Sequence, residues 1–250
     1  MLSDVQQFGA VPGTGKTAAQ RAANRTAVQN AIDAVIAAGG GCVLIPDVFE
    51  IDGALTADIS GVGSPYDSAS VTIQGYGYRA SRLIQTAATP CTTLTLVGGN
   101  SGRDGHFIVR GLGIERTAAA ASGYIGIVVS NASGTIIEKT WSRHMHQAIV
   151  LYKSYGCRVL YNFSFETAQH INCNDGFQTA NALIYEGNKV FRSGNYALAG
   201  SNMAACLFAG GWVVNFCRND IEACYEAAAF DSIGSLNVLG TGSRAANMRP

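Results

Sequence analysis

The sequence predicts an all-β fold in which one helix near the N-terminus caps a parallel solenoid. Three observations support this prediction. An Ala-rich amphipathic segment covers residues 17–38, and three glycines, Gly39 to Gly41, end it. From about Val71 onward, short apolar strands alternate with corners rich in Gly, Asn, Ser and charged residues. The 30 glycines among 250 residues suit a chain with many tight corners.

The helix is predicted by the spacing of its apolar residues. They recur at intervals of three and four and form one apolar stripe: Ala27, Val28, Ala31, Ile32, Val35 and Ile36. Successive glycines favour left-handed backbone over continued helix, so Gly39 to Gly41 should end it. A short strand near Val5 and a strand pair broken by Pro46 flank the helix. Because the stripe needs a surface to cover, we expect residues 1–51 to cap the open end of a stack.

At these residues the chain resembles the N-terminal segment of the pectate-lyase-like superfamily of right-handed parallel β-helices. The segments Phe8 to Val11, Thr26 to Asp33 and Ala38 to Pro46 follow the family's order and spacing over about a fifth of the chain. The chain departs from the family at Asn24 and Arg25, where an acidic pair is usual. The resemblance implies a right-handed parallel β-helix, here a single domain over residues 1–250 with stacked rungs over residues 71–240.

Residues 10–17 also fit a relaxed Walker A pattern that ends in Lys16 and Thr17. A nucleotide-binding P-loop needs a hydrophobic parallel strand before it and alternating strands and helices after it. The segment Val5 to Phe8 would be a poor buried strand, and Pro46 lacks the N–H that a central strand needs. We therefore predict a surface turn here, with P-loop nucleotide binding as the lesser alternative.

The charge balance argues against some partners. Lys plus Arg equals Asp plus Glu at 17 each, so no electrostatic attraction favours nucleic acid or an anionic membrane.

No apolar run reaches the roughly 18 residues of a membrane-spanning helix, so we predict no membrane insertion. The N-terminus lacks a basic segment followed by an apolar core, the pattern of a secretory signal. This fits an intracellular protein, a virion protein released by lysis or a chain without its signal. We expect an extracellular or virion-associated location.

The seven cysteines contain no C-x-x-C pair and are odd in number. Buried free thiols are therefore predicted, in preference to disulfides or a metal site.

The repeat is clearest in the second half of the chain. Thr140, Asn162, Asn188 and Asn219 mark corresponding corners, which gives rungs of 22, 26 and 31 residues. Apolar runs advance with nearly the same steps, at Ile149, Ile171, Leu198 and Phe230. In a stack with strands about 4.8 Å apart, a recurrent corner Asn can form a ladder of amide hydrogen bonds. We predict this structural role for the three asparagines.

A meandering β-sandwich is the main structural alternative. It would need two-residue hairpin turns between alternating strands. The Asp-Gly pairs that begin at Asp52, Asp104 and Asp175 do not join pairs of good strands, so the parallel solenoid is favoured.

Stacking brings together residues that are one rung apart. The 22-residue step places His144 over Glu166 and Lys153 over Asp175, and the 26-residue step places Glu166 over Arg192. The sequence therefore predicts a column of His144, Glu166 and Arg192 beside a Lys153–Asp175 pair. These side chains should point outward, because the interior of so narrow a stack is apolar.

Aromatic and basic residues are concentrated between Trp141 and His170. Aromatic rings offer apolar faces to sugars, and Arg, Lys and His pair with uronate or sulfate groups. We predict a groove that binds polysaccharide, with ordinary charge pairs on a solvated face as the alternative. The predicted substrate-binding residues are Trp141, His144, Tyr152, Arg158, Tyr161, His170 and Arg192.

Hydrolysis of a polysaccharide would need two carboxyl groups about 5 to 10 Å apart. The predicted pair is Glu166 and Asp175, with Glu186 and Asp220 in reserve.

Lyase chemistry would need a base for the proton α to a uronate carboxyl and a cation for the charge that develops. The predicted base is His146 or Lys153, and the predicted cation is Arg143 or Arg158.

Neither chemistry has a diagnostic motif here. The Asn-Thr-Asp, Asp-Asp and Gly-His-Gly set of polygalacturonase-like members is absent. No dense Asp cluster resembles the Ca²⁺ site of pectate lyases, so no cofactor is predicted and calcium stays an alternative without a motif. His144 and His146 lack an evident third ligand, so no metal site is predicted.

The resemblance implies a polysaccharide-binding and polysaccharide-degrading β-helix, with phage tailspike depolymerases as the nearest analogy. The alternative from another class is a non-catalytic virion or adhesin module that binds receptors or serves assembly. The expected partner is polysaccharide. The segment Ser243 to Pro250 has the sequence of an abrupt end, so we expect a truncated chain, a homotrimer or a further domain to account for the exposed end.

Overall fold

The protein is a parallel β-helix with an N-terminal helix. In its computed structural model, each turn of the chain adds one strand to each of three sheets. Every pairing between the described strands is parallel, so the β-sandwich alternative is wrong. The structure describes residues 1–61, 70–99, 106–174, 182–194, 197–198, 203–209, 213–224, 226–231, 233, 235–240 and 242–244.

The strands alternate among the sheets in chain order. The nine-stranded sheet contains β1 Leu2–Asp4, β2 Gly40–Ile45, β5 Ser70–Gly75, β8 His106–Arg110, β11 Ile136–Glu138, β14 Arg158–Leu160, β17 Leu183–Glu186, β20 Val213–Cys217 and β23 Ser235–Leu239. The eight-stranded sheet contains β3 Val48–Ile51, β6 Arg82–Gln85, β9 Gly113–Arg116, β12 Trp141–Arg143, β15 Phe163–Phe165, β18 Lys189–Phe191, β21 Asp220–Glu222 and β24 Gly242–Arg244. The seven-stranded sheet contains β4 Leu55–Asp58, β7 Thr92–Val97, β10 Ile125–Ser130, β13 Gln147–Tyr152, β16 Gln169–Asn174, β19 Ala204–Ala209 and β22 Glu226–Asp231.

The N-terminal helix α1 covers Ala18–Ala37, close to the predicted 17–38. Thr17 caps it, because its hydroxyl accepts from the N–H of Gln20 while the Gln20 side chain accepts from the N–H of Thr17. The predicted stripe is buried from Ala27 to Val35 and packs into the core, while Ile36 is partly buried against it. The short strand expected near Val5 lies just before it, as β1 over Leu2–Asp4. Val5–Phe8 itself forms a 3-10 helix.

The P-loop alternative fails at this end of the molecule. Among the described residues α1 is the only α-helix, so no alternating strands and helices follow the turn. The backbone amides of this turn already bind a carboxylate that belongs to the protein. The N–H groups of Gly15 and Lys16 donate to the Glu50 carboxylate at 2.8 and 2.9 Å, and Arg21 donates to it at 3.0 Å. The predicted surface turn therefore anchors the start of α1 to strand β3.

The rung steps are confirmed along the eight-stranded sheet. Trp141 lies beside Phe163, Phe163 beside Lys189, and Lys189 beside Asp220, which gives steps of 22, 26 and 31 residues. The predicted position of Leu198 is wrong, because Ile171 pairs with Cys206 instead. Leu198 instead lies outside the strands, after the end of β18 at Phe191 and before the start of β19 at Ala204.

The asparagine ladder is present at the corner between the nine-stranded and eight-stranded sheets. The Asn188 side chain donates to Asn219 Oδ1 at 3.2 Å and to the carbonyl of Val159 at 2.9 Å. Its oxygen accepts from the backbone and side-chain nitrogens of Asn162, both at 3.0 Å. Asn162 in turn accepts from Thr140. The three asparagines are buried, so their role in the fold is structural.

No disulfide joins the seven cysteines, all of which lie in the described part of the chain. Four of them are buried: Cys157, Cys173, Cys206 and Cys224. Within the described part of the chain, no helix combines the length and the apolar character needed to cross a membrane.

Candidate functional site

The corner between the eight-stranded and seven-stranded sheets aligns a histidine, a glutamate and an arginine. His144, Glu166 and Arg192 each follow the last residue of a strand and have positive φ angles of 57°, 51° and 56°. Such angles are uncommon outside glycine. Because each rung turns through the same backbone conformation, the three residues stack one above another. The column expected from the sequence is present, and we call it the corner column.

Glu166 is the centre of the corner column. Its Oε2 lies 3.0 Å from His144 Nε2 and 3.8 Å from Arg143, and its Oε1 lies 3.3 Å from Arg192. Partial burial by itself raises the pKa of Glu166. The hydrogen bonds from His144 and Arg192 and the charge of Arg143 outweigh this effect, so the pKa lies below the ordinary value of 4.5. Glu166 is therefore an ionised carboxylate at neutral pH and is unsuited to donate a proton as a general acid.

The ring of His144 is fixed from both sides. Its Nδ1 lies 3.1 Å from the carbonyl oxygen of Arg116, and its Nε2 faces Glu166. Both partners are acceptors, so the imidazole satisfies both when each nitrogen carries a proton. The corner column is thus tied to the preceding rung at Arg116.

The outer surface of the eight-stranded sheet beside the corner column carries aromatic rings. Strands β12, β15 and β18 point their middle residues inward, as with the buried Ser142 and Ser164, so the flanking residues point outward. We call the resulting patch the aromatic face; its members are Trp141, Phe163, Phe165 and Phe191.

The rings of the aromatic face are ordered by stacking and by cations. Phe165 and Phe191 stack with centroids 5.8 Å apart and planes at 7°. The Arg143 guanidinium lies 5.8 Å from the Phe165 ring centre, and that of Arg192 lies 5.9 Å from the Phe191 ring centre. Trp141 packs near Tyr78 at 6.4 Å.

Sequence reasoning found Trp141 and missed the three phenylalanines. The segment Phe163 to Phe165 places a serine between two large apolar residues, a pattern that ordinarily puts the aromatic rings inside. In the structure Ser164 is buried instead and its hydroxyl meets that of Ser142 at 3.1 Å. The signal in the sequence that could have shown this orientation is the recurrence of serine one rung apart, at Ser142 and Ser164.

The other predicted binding residues do not share this surface. Tyr152 and Lys153 lie at the end of β13 in the seven-stranded sheet, and the Lys153 ammonium lies 5.4 Å from the Tyr152 ring centre. Arg158 begins β14 in the nine-stranded sheet. Tyr161 lies at the corner after β14, and its hydroxyl lies 3.5 Å from Glu186. The expectation of one groove through all of them is wrong, because successive segments of a rung face different sides of the stack.

His170 was predicted as a binding residue and is a core residue. Its exposure is 1%, and its Nδ1 forms a hydrogen bond with the hydroxyl of Tyr185, which is also fully buried. Burial lowers the pKa of His170 to about 3, so the imidazole is neutral. This prediction fails because the position of His170 in β16 faces the interior.

The remaining catalytic candidates are placed separately. Asp175 lies outside the described residues, and with it the Lys153–Asp175 pair. His146 is half-buried just after the corner column, and this burial lowers its pKa. Glu186 forms an ion pair with Arg218 at 2.6 Å, at the corner between the nine-stranded and eight-stranded sheets and away from the corner column. Asp220 pairs in register with Lys189.

Among the described residues, no three His, Cys, Asp or Glu side chains are grouped to hold a metal ion.

Comparisons with known proteins identify the fold. No protein-family model matches the chain, and no curated protein matches its sequence. Among solved structures, ORF18 of Geobacillus virus E2 superposes over 96% of this chain and 48% of its own, with a TM-score of 0.67 and 13% identity.

A second solved structure is the catalytic unit of a thermostable GH87 α-1,3-glucanase from Streptomyces thermodiastaticus. It matches 96% of this chain and 40% of its own, with a TM-score of 0.56 and 20% identity. The chain thus spans less than half the length of either structure. At these identities the likeness is one of fold. The chain is a parallel β-helix, as its resemblance to the pectate-lyase-like superfamily implied.

Proposed function

We propose that this protein binds a polysaccharide along the aromatic face, with the sugar chain passing beside the corner column. The observation that supports this most is the stack of Phe165 on Phe191 on an outer surface. The two rings are only partly buried, and apolar ring faces suit the C–H surfaces of sugars.

The surrounding charges support a polar, chain-like ligand. Arg143 and Arg192 lie beside the rings and are themselves oriented by Glu166. Their guanidinium groups are held in place before a ligand arrives, which reduces the entropy cost of binding. The rings come from three successive strands, β12, β15 and β18, and so extend over about 10 Å along the stack.

The solved fold relatives are compatible with this proposal. One of the two is the catalytic unit of an α-1,3-glucanase, a polysaccharide-degrading enzyme. The fold alone does not transfer that activity, so the proposal depends on the aromatic face.

Removal of the aromatic stack tests the proposal. Phe165→Ala should weaken binding to a responsive polysaccharide by about fivefold, because an aromatic contact contributes roughly 1 kcal/mol. Affinity electrophoresis through gels that contain acidic or neutral polysaccharides would measure the change. Tyr152→Ala is the matched control, since Tyr152 is an exposed aromatic residue on another sheet. Equal retardation of wild type and Phe165→Ala, or equal losses in both variants, would contradict the proposal.

A second candidate function is cleavage of the bound polymer by β-elimination, with His146 as the base. The lowered pKa of His146 favours this role, because a neutral imidazole can accept a proton at neutral pH. The base would take the proton α to a uronate carboxyl, and the electron pair would form the double bond as the glycosidic oxygen leaves. Arg143 is the nearby cation for the charge on the carboxyl group.

The product distinguishes the candidates. Elimination creates an unsaturated sugar that absorbs in the ultraviolet together with new reducing ends. Reducing ends alone would indicate hydrolysis, and binding without either would indicate a receptor or structural module of a virion or adhesin. His146→Gln should abolish the ultraviolet signal and leave binding intact if elimination occurs.

A further inference from the structure

A polar cleft lies beside the corner column, toward the N-terminal cap. Its volume is about 170 Å³, room for several waters or a ligand the size of one sugar ring. Helix α1 and the ends of strands β3, β6 and β9 line it, through Arg21, Glu50, Gln85, Thr86, Arg116 and Thr117. None of these residues belongs to the aromatic face.

Three charged side chains line the cleft, namely Arg21, Glu50 and Arg116. The charges of Arg21 and Glu50 neutralise each other. The Glu50 carboxylate accepts from the N–H groups of Gly15 and Lys16 and from Arg21 Nε, all within 3.0 Å. Burial by itself raises the pKa of Glu50, but these donors and the charge of Arg21 lower it overall. Glu50 is therefore ionised and compensated, and the cleft has one positive charge in excess.

That excess charge is Arg116, which is rigidly held. Its guanidinium carbon lies 3.6 Å from the centre of the Tyr124 ring, and one nitrogen donates to the carbonyl of Ala119 at 2.8 Å. Tyr124 is itself buried and its hydroxyl donates to the carbonyls of Ala87 and Ala88, at 2.9 and 3.0 Å. In the described part of the chain, no carboxylate lies within 4.0 Å of the Arg116 guanidinium.

The cleft lies one rung before the corner column, at the same corner of the stack. Arg116 pairs in register with Gln85, and its carbonyl oxygen contacts His144 Nδ1. A ligand that follows the corner past Glu166 and His144 therefore reaches Arg116 next.

We propose that the cleft is a subsite for one sugar unit with an anionic substituent, which pairs with the guanidinium of Arg116. The threonine hydroxyls and the Gln85 amide supply polar walls for the ring hydroxyls. Planar guanidinium groups form two parallel hydrogen bonds with carboxylates and sulfates, and a pre-oriented group loses little entropy in doing so. The subsite makes acidic polysaccharide the substrate class, and in this respect it depends on the proposed function.

Calorimetric titration of the whole protein at constant ionic strength tests the subsite. The probes are sodium glucuronate, glucose 6-sulfate, glucose and sodium sulfate. We expect glucuronate, glucose 6-sulfate or both to bind, and glucose and inorganic sulfate to bind at least about tenfold more weakly. Inorganic sulfate that binds as well as the acidic sugars would reduce the cleft to a general anion site and overturn the proposal. Glucose that binds equally well would also overturn it.

Substitution then assigns the site. Arg116→Gln should weaken acidic-sugar binding about tenfold or more, while Arg110→Gln should leave it unchanged. Arg110 is the matched control because it lies exposed in β8 of the nine-stranded sheet, paired with Gln74. Thermal unfolding of both variants checks that they fold. Unchanged binding in a folded Arg116→Gln would overturn the proposal.

The two proposals fail separately. If polysaccharides bind through the aromatic face with equal affinity whether acidic or neutral, and Arg116→Gln changes neither, the subsite is refuted and the proposed function stands. If acidic monosaccharides bind at Arg116 but no polymer binds at all, the proposed function is refuted and the subsite stands.

Discussion

At the scale of single residues, the strand position of a polar side chain decides whether it meets water or the core. His144 and His170 are both histidines of the same repeat region. His144 lies at a corner and contacts a carboxylate, whereas His170 lies on the inner face of β16 and contacts Tyr185. Burial of His170 disfavours the charged form of its imidazole, so this histidine stays neutral.

His170 should therefore make the stability of the protein depend on pH. In the unfolded chain the pKa of His170 has the ordinary value of 6.5, and in the folded chain this pKa is about 3. As the pH falls below 6.5, the unfolded state binds a proton that the folded state does not, so the free energy of unfolding decreases. We expect His170→Gln to lose less stability than wild type between about pH 7 and pH 4, measured by urea unfolding at several pH values.

The difference between the two pH profiles isolates His170, because carboxylates such as Glu166 titrate in both proteins. Parallel profiles for wild type and His170→Gln over this range would show that His170 is not buried in a neutral form.

At the scale of elements, corners hold the rungs together as much as strands do. The asparagine ladder connects four successive rungs from Thr140 to Asn219 through buried amides. Each amide satisfies the backbone of the neighbouring rung, for instance the carbonyl of Val159. A strand of three residues, such as β15, offers few ladder hydrogen bonds of its own, so corner bonds matter more in such short elements.

Asn188→Ala should destabilise the protein by about 2 to 4 kcal/mol, because it leaves several buried donors and acceptors without partners. Chemical denaturation would measure the loss. Asn237→Ala is the matched control: Asn237 also bonds an asparagine of the next rung, Asn215, but at an exposed position. We expect a change within about 0.5 kcal/mol there. Similar losses in both variants would contradict a special role for burial of the ladder.

At the scale of the whole molecule, the stack is close to one-dimensional, since each rung contacts mainly its neighbours. Helix α1 packs on the first strands, from β1 to β4, and closes that end of the core. Stability in such arrays is approximately a sum of rung and interface contributions. A defect in the cap should therefore weaken nearby rungs more than distant ones.

Val28→Ala tests this locality. Val28 is fully buried on the inner face of α1, and loss of its two methyl groups should cost about 1 to 3 kcal/mol. Amide hydrogen exchange should show reduced protection in β2 to β4 and little change in β20 to β22. Uniform loss of protection along the chain would instead mean that the stack unfolds as one cooperative unit.

Much of this architecture is predictable from local sequence. The apolar stripe from Ala27 to Val35 predicts the helix, and the glycines after it predict its end. The recurrent asparagines predict the rung steps, and these steps in turn align His144 with Glu166 and Arg192. Such features depend on spacing along the chain, which a stacked repeat converts directly into contact.

Other features required the assembled stack. Leu198 has the hydropathy of a strand residue but lies between β18 and β19, because the number of residues between two strands is not set by the repeat. The outward rings of Phe163 and Phe165 depend on which face of a three-residue strand packs inside, and the serine between them is satisfied only by a neighbouring rung. Arg116 gains its orientation from Tyr124, eight residues away around a corner.

The sequence alone therefore determined the class of fold, the position of the cap, the spacing of the rungs and the corner column. These follow from periodic patterns, whose energetics are local or repeat with each rung. Only the tertiary structure decided which side chains share a surface: it separated Tyr152, Arg158 and Tyr161, buried His170, placed the aromatic face on the outer side of the stack and shaped the cleft at Arg116. A side chain's direction depends on strand pleat and corner geometry, and both are set by packing against residues outside the strand itself.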